Sequence, residues 1–227
     1  MLSVAPDIVH GDIKPQNVLL MDFDGSIVPQ VTDFGYSTAY TSSDSPIIHS
    51  RTVPWNAPEV GTDSKAYTPT DAIRTDTFSF GMFCLWVLFR EQVADHFGLT
   101  QDFVDQCKPS ESNISSSFRV MTNLKNQDQL RPFCQILVRS LQLEPSQRES
   151  LEQLFEATLS PQPSERADSF KLLCKCLDSS LTNKASNKAI PAVDLVGHMN
   201  GRGASGQHFD FEVIASLADY WFVSDDY

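Results

Sequence analysis

The sequence has few cysteines, few basic residues and no long apolar run, and each shortage argues against a class of protein. The five cysteines are odd in number and lack the spacing of a disulfide framework, which favours a reducing compartment. The 17 basic residues are outnumbered by 29 acidic ones, giving a net charge of -12. This charge argues against nucleic acid or an anionic membrane as a partner.

The longest nearly apolar segment, residues 78–89, has twelve residues and is too short to span a bilayer. It predicts a buried core helix instead. Near the N-terminus, Pro6, Asp7 and His10 interrupt any apolar stretch, so we expect no signal peptide. Hydrophobic residues make up 41 % of the chain, enough for a globular core. We therefore expect a cytoplasmic protein with no membrane and no nucleic-acid partner; its oligomeric state is left open.

Hydrophobic periodicity predicts a mainly helical fold from Asp71 onward. The predicted helices cover the apolar run at 78–89, then 130–141, then 151–159. Glu144-Pro145 marks a stop between the last two of these helices. Residues 92–129 are polar and mixed and receive only a loose assignment.

Before residue 71 the pattern predicts short strands and a long loop. Residues 18–21 and 27–31 are apolar runs, and Asp24-Gly25 between them predicts a β-hairpin. Residues 7–9 form another apolar run. Residues 36–52 are rich in Ser and Thr and are expected to form a long irregular loop.

The composition changes near Pro161-Gln162-Pro163, which divides the chain into three predicted parts. Residues 1–160 form the main domain, and 161–207 form a linker with a short helix at 165–178. Residues 208–227 have five acidic residues, no Lys or Arg, and the apolar spacing of one amphipathic helix. Gly201 to Gly206 spells G-x-G-x-x-G, but its polar surroundings favour a flexible linker over a nucleotide loop.

The residue types that carry chemistry lie in two neighbouring segments. Residues 10–17 read His-Gly-Asp-Ile-Lys-Pro-Gln-Asn, and Asp33-Phe34-Gly35 follows sixteen residues after Asn17. Together they supply a base, a phosphate-binding cation and two oxygen ligands for a divalent ion, which phosphoryl transfer requires. A plainer interpretation takes Asp12, Asn17 and Asp33 as turn residues. That interpretation explains each residue singly but not their order.

With these motifs the chain resembles a protein kinase of the serine/threonine branch over roughly residues 5–160. The resemblance implies a kinase-like C-terminal lobe, mainly α with a small β-hairpin. It implies that Asp12 accepts or orients the substrate hydroxyl and that Lys14 neutralises the transferring phosphoryl group. Asn17 and Asp33 would hold Mg2+ as the cofactor, and Leu19 would lie under the adenine of ATP. The partners implied are ATP and a protein substrate.

Further pieces of the resemblance follow in family order. Ala57-Pro58-Glu59 matches the end of an activation segment, and Thr52 lies where such kinases carry a substrate-loop threonine. Asp76 resembles the central-helix aspartate that bonds the catalytic-loop backbone. Arg148, after Leu143-Glu144-Pro145, resembles the arginine that forms a buried ion pair with the motif glutamate, here Glu59.

Two departures bear on activity. Gly11 replaces the arginine that in many kinases pairs with a phosphate on the activation loop. Only nine residues precede His10, too few for the Gly-rich loop, strand lysine and glutamate of a small lobe. We therefore expect a truncated serine/threonine kinase with little or no activity alone. The alternative is a pseudokinase or binding module whose large-lobe surface holds a protein partner.

Overall fold

The computed structural model describes residues 7–23, 26–40, 47–61, 67–95 and 116–169. The strands are β1 (Asp7–Val9), β2 (Val18–Phe23), β3 (Ser26–Val31) and β4 (Thr38–Tyr40). The helices are α1 (Pro69–Asp95), α2 (Ser116–Asn126), α3 (Leu130–Ser140) and α4 (Pro145–Thr158). The described part is mainly helical with small sheets, in agreement with the predicted class.

The predicted hairpin is formed by β2 and β3. They pair antiparallel with Val18 opposite Val31 and Phe23 opposite Ser26, so two residues join the strands at the predicted turn. Val18 and Val31 are buried, while Leu19 and Met21 lie on the exposed face of β2. This alternation follows from the two-residue period of a strand.

The region predicted as one irregular loop at 36–52 is partly ordered, and that prediction was too simple. Its residues 38–40 form β4, which pairs antiparallel with β1 so that Ile8 lies opposite Ala39. Ile47 forms an isolated bridge with Tyr67, the Tyr67 N–H donating to the Ile47 carbonyl at 3.1 Å. Local composition did not reveal these pairings because both partners are distant in sequence.

Helix α1 is the centre of the fold. It begins at Pro69, where the Thr68 hydroxyl accepts from the Asp71 N–H at 3.2 Å and donates to the Asp71 carboxylate at 2.8 Å. Composition alone would allow its segment Pro69–Phe89 to cross a membrane, but 83 % of the relevant stretch is buried within the fold. Burial on all sides is the property of a core helix.

Two helix predictions need correction. Helix α4 begins at Pro145, six residues before the predicted start, with Glu144 and Gln147 forming a capping box. Glu144-Pro145 therefore marks the start of α4 as well as the break between α3 and α4. Helix α2, Ser116–Asn126, lies in the region that was assigned only loosely, and it buries Val120, Met121 and Leu124 along one face.

The packed domain continues past residue 160. The Ala167 N–H donates to the Ala157 carbonyl at 2.9 Å, and the Thr77 hydroxyl donates to the Ala167 carbonyl at 3.0 Å. Of the helix predicted at 165–178, residues 166–169 are not helical, and the rest lies outside the described residues. The linker to 207, the G-x-G-x-x-G segment and the predicted helix at 208–227 also lie outside them.

Gly81 allows α1 to approach the end of α4. A β-carbon at position 81 would lie 2.6 Å from Thr158 Cβ and 2.8 Å from Leu159 Cδ2. Ordinary packing does not permit such contacts. The close approach therefore depends on the absence of a side chain at this position.

We predict that Gly81→Ala lowers the free energy of unfolding by about 1–3 kcal/mol, because it overpacks the α1–α4 contact. Urea denaturation of the full chain measures the change. Gly61→Ala is the matched control: its β-carbon would lie 4.0 Å from the Glu59 carbonyl at an exposed position. An equal loss in both variants would contradict the packing argument.

Candidate functional site

The segment from His10 to Asn17 is held in place by one carboxylate of α1. Asp76 accepts from the His10 N–H at 2.6 Å and from the Gly11 N–H at 2.9 Å, as the resemblance implied. Burial raises the pKa of Asp76 to about 7, while the two N–H donors act in the opposite direction. The core helix thus sets the backbone path of the loop that carries Asp12.

Gly11 has a backbone conformation that favours glycine. Its φ of 78° lies in the left-handed region, and a β-carbon there would lie 2.9 Å from the Tyr36 carbonyl oxygen. Larger side chains would have to displace the backbone at Tyr36. The departure from the family's arginine therefore agrees with the local geometry.

Three side chains converge on the carboxylate of Asp12. Lys14 Nζ lies 2.5 Å from Oδ2, the Thr52 hydroxyl donates to Oδ1 at 2.9 Å, and Asn17 Nδ2 donates to Oδ2 at 3.2 Å. Burial would raise the pKa of Asp12, but hydrogen bonds from Lys14, Thr52 and Ser50 outweigh it and hold the pKa below its ordinary value. Asp12 is therefore ionised at neutral pH and able to accept a proton.

The hairpin brings Asn17 and Asp33 together. Asn17 comes just before β2 and Thr32 just after β3, and the Thr32 N–H donates to the Asn17 carbonyl at 2.8 Å. Asp33 follows in the left-handed conformation at φ 63°, and its carboxylate lies 3.4 Å from the Gly35 N–H. Burial lowers the pKa of His10, and the Thr32 carbonyl and the charges of Asp12 and Asp33 oppose that shift. Asp33 is thus the residue that directly follows the backbone bond to Asn17.

The donor set at these two residues fits Mg2+. The Asn17 amide nitrogen is used in bonds to Asp12, which makes its oxygen the atom suited to a cation, and Asp33 is an exposed carboxylate. Within the described ranges no group of three or more His, Cys, Asp or Glu side chains clusters as a metal site. Mg2+ needs no such cluster, because it typically uses one or two carboxylates plus phosphate oxygens and water.

Leu19 and Phe34 form an apolar border to this site. Leu19 is 50 % exposed and Phe34 is 57 % exposed, and the Phe34 ring lies 5.3 Å from the His10 ring. His10 itself is buried, and its Nε2 lies 3.2 Å from the Thr32 carbonyl oxygen. The predicted adenine-contacting residue therefore lies on an open face beside the two loops.

The expected pairing of Glu59 with Arg148 is wrong. Arg166 makes that ion pair: its Nη1 lies 2.6 Å from Glu59 Oε1 and its Nη2 lies 2.8 Å from Oε2. The Arg166 guanidinium is fully buried, lies 4.8 Å from the centre of the Phe78 ring and donates to the Ser160 carbonyl at 2.7 Å. Arg148 Nε is buried without a hydrogen bond among the described residues.

A sequence signal for Arg166 existed but was ambiguous. Pro163-Ser164-Glu165-Arg166 repeats the pattern of Pro145-Ser146-Gln147-Arg148, so the chain offers two equivalent candidates. Only packing distinguishes them. Arg148 lies in the first turn of α4, whereas Arg166 lies after α4, where the chain returns to α1.

Sequence reasoning also missed polar residues around the activation segment. The Ser50 N–H donates to the Gly11 carbonyl at 2.8 Å, and the Ser50 and Thr52 hydroxyls are 2.6 Å apart. His49 is buried against Thr75, with Nε2 2.7 Å from the hydroxyl oxygen, and burial lowers the pKa of His49 to about 4. Ser, Thr and His in a polar stretch carry no distinctive spacing, so no local signal identified them.

Comparisons with known proteins match this geometry to one family. A family model described as "Protein kinase domain" matches residues 5–175, which extends past the predicted domain end at 160. A "Receptor-like protein kinase" of Ipomoea nil is 32 % identical over 93 residues, covering 40 % of this chain and 8 % of that protein. No solved structure gives a significant match.

Two further relatives carry the name "Interleukin-1 receptor-associated kinase 1". The protein of Mus musculus is 36 % identical over 91 residues, covering 37 % of this chain and 12 % of its own length. That of Bos taurus is 28 % identical over 121 residues, covering 48 % of this chain and 15 % of its own length. The chain thus aligns with a small part of each of these curated relatives.

We predict that Arg166→Met lowers the free energy of unfolding by about 3–5 kcal/mol, because Glu59 loses its buried partner. Thermal and urea denaturation of the full chain measure the loss. Arg148→Met is the matched control and should change stability by about 1 kcal/mol or less, since its Nε has no described partner. The reverse ranking of the two variants would contradict the assignment of Arg166.

Proposed function

Since this chain belongs to the protein kinase family, we propose that it serves the transfer of the γ-phosphoryl group of Mg-ATP to serine or threonine hydroxyls of proteins. The observation that supports this most directly is the convergence of Lys14, Thr52 and Asn17 on the Asp12 carboxylate. An ionised carboxylate beside a cation is what the proton-accepting and phosphate-neutralising roles require.

In this proposal the substrate hydroxyl oxygen attacks the γ-phosphorus, and the bond to the β,γ-bridging oxygen breaks. Asp12 orients that hydroxyl and receives its proton. The Lys14 ammonium, now 2.5 Å from Asp12, lies close enough to neutralise charge on the phosphoryl oxygens as well. Asn17 and Asp33 would hold Mg2+, which when bound offsets the charge of the nucleotide phosphates. Leu19 supplies an apolar surface for adenine.

The serine/threonine specificity rests on Lys14, two residues after Asp12, which resembles the pattern of that branch. Gly11 leaves no arginine in the catalytic loop to bind an activation-loop phosphate. We therefore propose that any activity is independent of phosphorylation in the segment 38–45.

The chain by itself is proposed to bind Mg-ATP weakly. Within the described ranges Leu19 and Phe34 are about half exposed, so these two residues offer a nucleotide one open wall. Full activity would then require a second wall from a small lobe.

A pseudokinase or binding function is the second candidate, and the open apolar border favours it. Ile8 on β1, Leu19 and Met21 on β2, and Phe34 after β3 are all exposed. Exposed apolar clusters commonly mark a protein contact. A thermal shift separates the candidates: nucleotide at 100 times its Kd would stabilise the fold by about 2.7 kcal/mol, and a pure binding module would not respond.

We predict that Asp12→Asn lowers phosphotransfer by about 10²–10⁴-fold, because it removes the proton acceptor without changing side-chain size. The assay follows transfer from labelled ATP to a serine-containing protein substrate with Mg2+, and mass spectrometry identifies the modified hydroxyl.

Asp128→Asn is the matched control. Asp128 is exposed in a turn at φ 54°, a conformation that asparagine also adopts readily, so activity should be unchanged. Phosphotransfer that survives Asp12→Asn would contradict the assigned role. Modified tyrosine without serine or threonine would contradict the proposed specificity.

A further inference from the structure

We propose that Lys125, in the last turn of α2, is a positioning residue that holds the activation-segment loop 52–57 against the helical core and thereby aligns Thr52 with Asp12. The inference rests on the proposed kinase function, because it assigns this loop to the site where the acceptor protein binds.

The contacts of Lys125 match the donors of an ammonium group. Its Nζ lies 2.8 Å from the Pro54 carbonyl, 2.9 Å from the Asn56 carbonyl and 2.9 Å from Asn56 Oδ1. Three N–H donors thus meet three oxygen acceptors within one short segment. Burial lowers the pKa of Lys125 to about 8 while Glu59 raises it, so the group is still an ammonium at neutral pH.

The residue between those two carbonyls is held by the same helix. Trp55 is buried in edge contact with Phe118 of α2 at 5.3 Å and with Trp86 of α1 at 6.1 Å. Helix α2 therefore holds the backbone of residues 54–56 through Lys125 and the side chain of Trp55 through Phe118. Val53, the residue before Pro54, is 54 % exposed. The start of the anchored loop is therefore open to solvent.

A continuous series of hydrogen bonds leads from this anchor to the catalytic loop. The Asn56 N–H donates to the Thr52 carbonyl at 3.0 Å, which closes a turn over residues 52–56. The Thr52 hydroxyl then donates to Asp12 Oδ1 at 2.9 Å. Lys125 does not touch the reacting atoms; it acts through Asn56 and Thr52.

The test uses the full 227-residue chain and the isosteric change Lys125→Met. Two readouts are taken: hydrogen exchange of individual amides, and steady-state phosphotransfer with ATP and the protein substrate varied separately. Arg139→Met is the matched control, since Arg139 is a cation on the neighbouring helix α3 with a 67 % exposed side chain.

In Lys125→Met we expect the Asn56 and Val60 amides to exchange at least about ten-fold faster, while the amides of α4 are unchanged. The kcat/KM for the protein substrate should fall by about 10- to 100-fold, because the loop is misplaced. The KM for ATP should stay within about two-fold of wild type, since Asn17 and Asp33 lie in other segments. Arg139→Met should change neither readout.

Equal acceleration of exchange in the loop and in α4, with both KM values raised together, would show a general structural role and overturn the proposal. Amide exchange at the wild-type rate in the loop 52–57 would also overturn the proposal. If Lys125→Met does not fold, Asn56→Asp and Asn56→Ala are compared, because both remove the amide bond to the Val60 carbonyl but only Asn56→Ala removes the side-chain oxygen that Lys125 contacts. Equal exchange of the residue 56 amide in the two variants would then overturn the inference. Absence of both nucleotide-dependent stabilisation and Asp12-dependent phosphotransfer in the wild type refutes the proposed function, whereas the exchange data still test the anchor.

Discussion

The candidate site depends on the contact between Asp76 and the backbone of the catalytic loop. A carboxylate in the core is costly unless it is paired, and here the His10 and Gly11 N–H groups at 2.6 and 2.9 Å provide the partners. These bonds run from the most buried helix of the fold to the residues just before Asp12. The position of the proposed base is therefore set by the core, which is the most rigid part of a protein.

The rest of the site is assembled from short loops tied to this point. The hairpin β2–β3 reverses the direction of the chain, so that the Thr32 N–H donates to the Asn17 carbonyl. Asp33 is the next residue. The activation segment reaches Asp12 from the other side through Thr52, and Glu59 at its far end is held by Arg166. The segment with Thr52 thus meets the 10–17 loop at the Asp12 carboxylate, and the hairpin places Asp33 directly after the residue bonded to Asn17.

Local patterns predicted much of this arrangement. The hairpin follows from alternating apolar residues and an Asp-Gly turn, and the core helix follows from a run that is apolar on all sides. The roles of Asp12, Lys14, Asn17 and Asp33 came from a resemblance carried by short motifs, and they stand as proposals supported by geometry. The prediction was less accurate where partners are far apart, as for strand β4 and the anchor made by Lys125.

The sequence by itself determined the residue types, their order and the periodicities that specify the hairpin, the core helix and the two loops. Tertiary structure alone decided between Arg148 and Arg166 as the partner of Glu59, because both follow the same Pro-Ser-x-Arg pattern. The packing of α4 and of the chain that follows it determines which guanidinium lies next to the Glu59 carboxylate. The distance between these two groups depends on the whole fold, so it cannot be predicted from a short stretch of sequence.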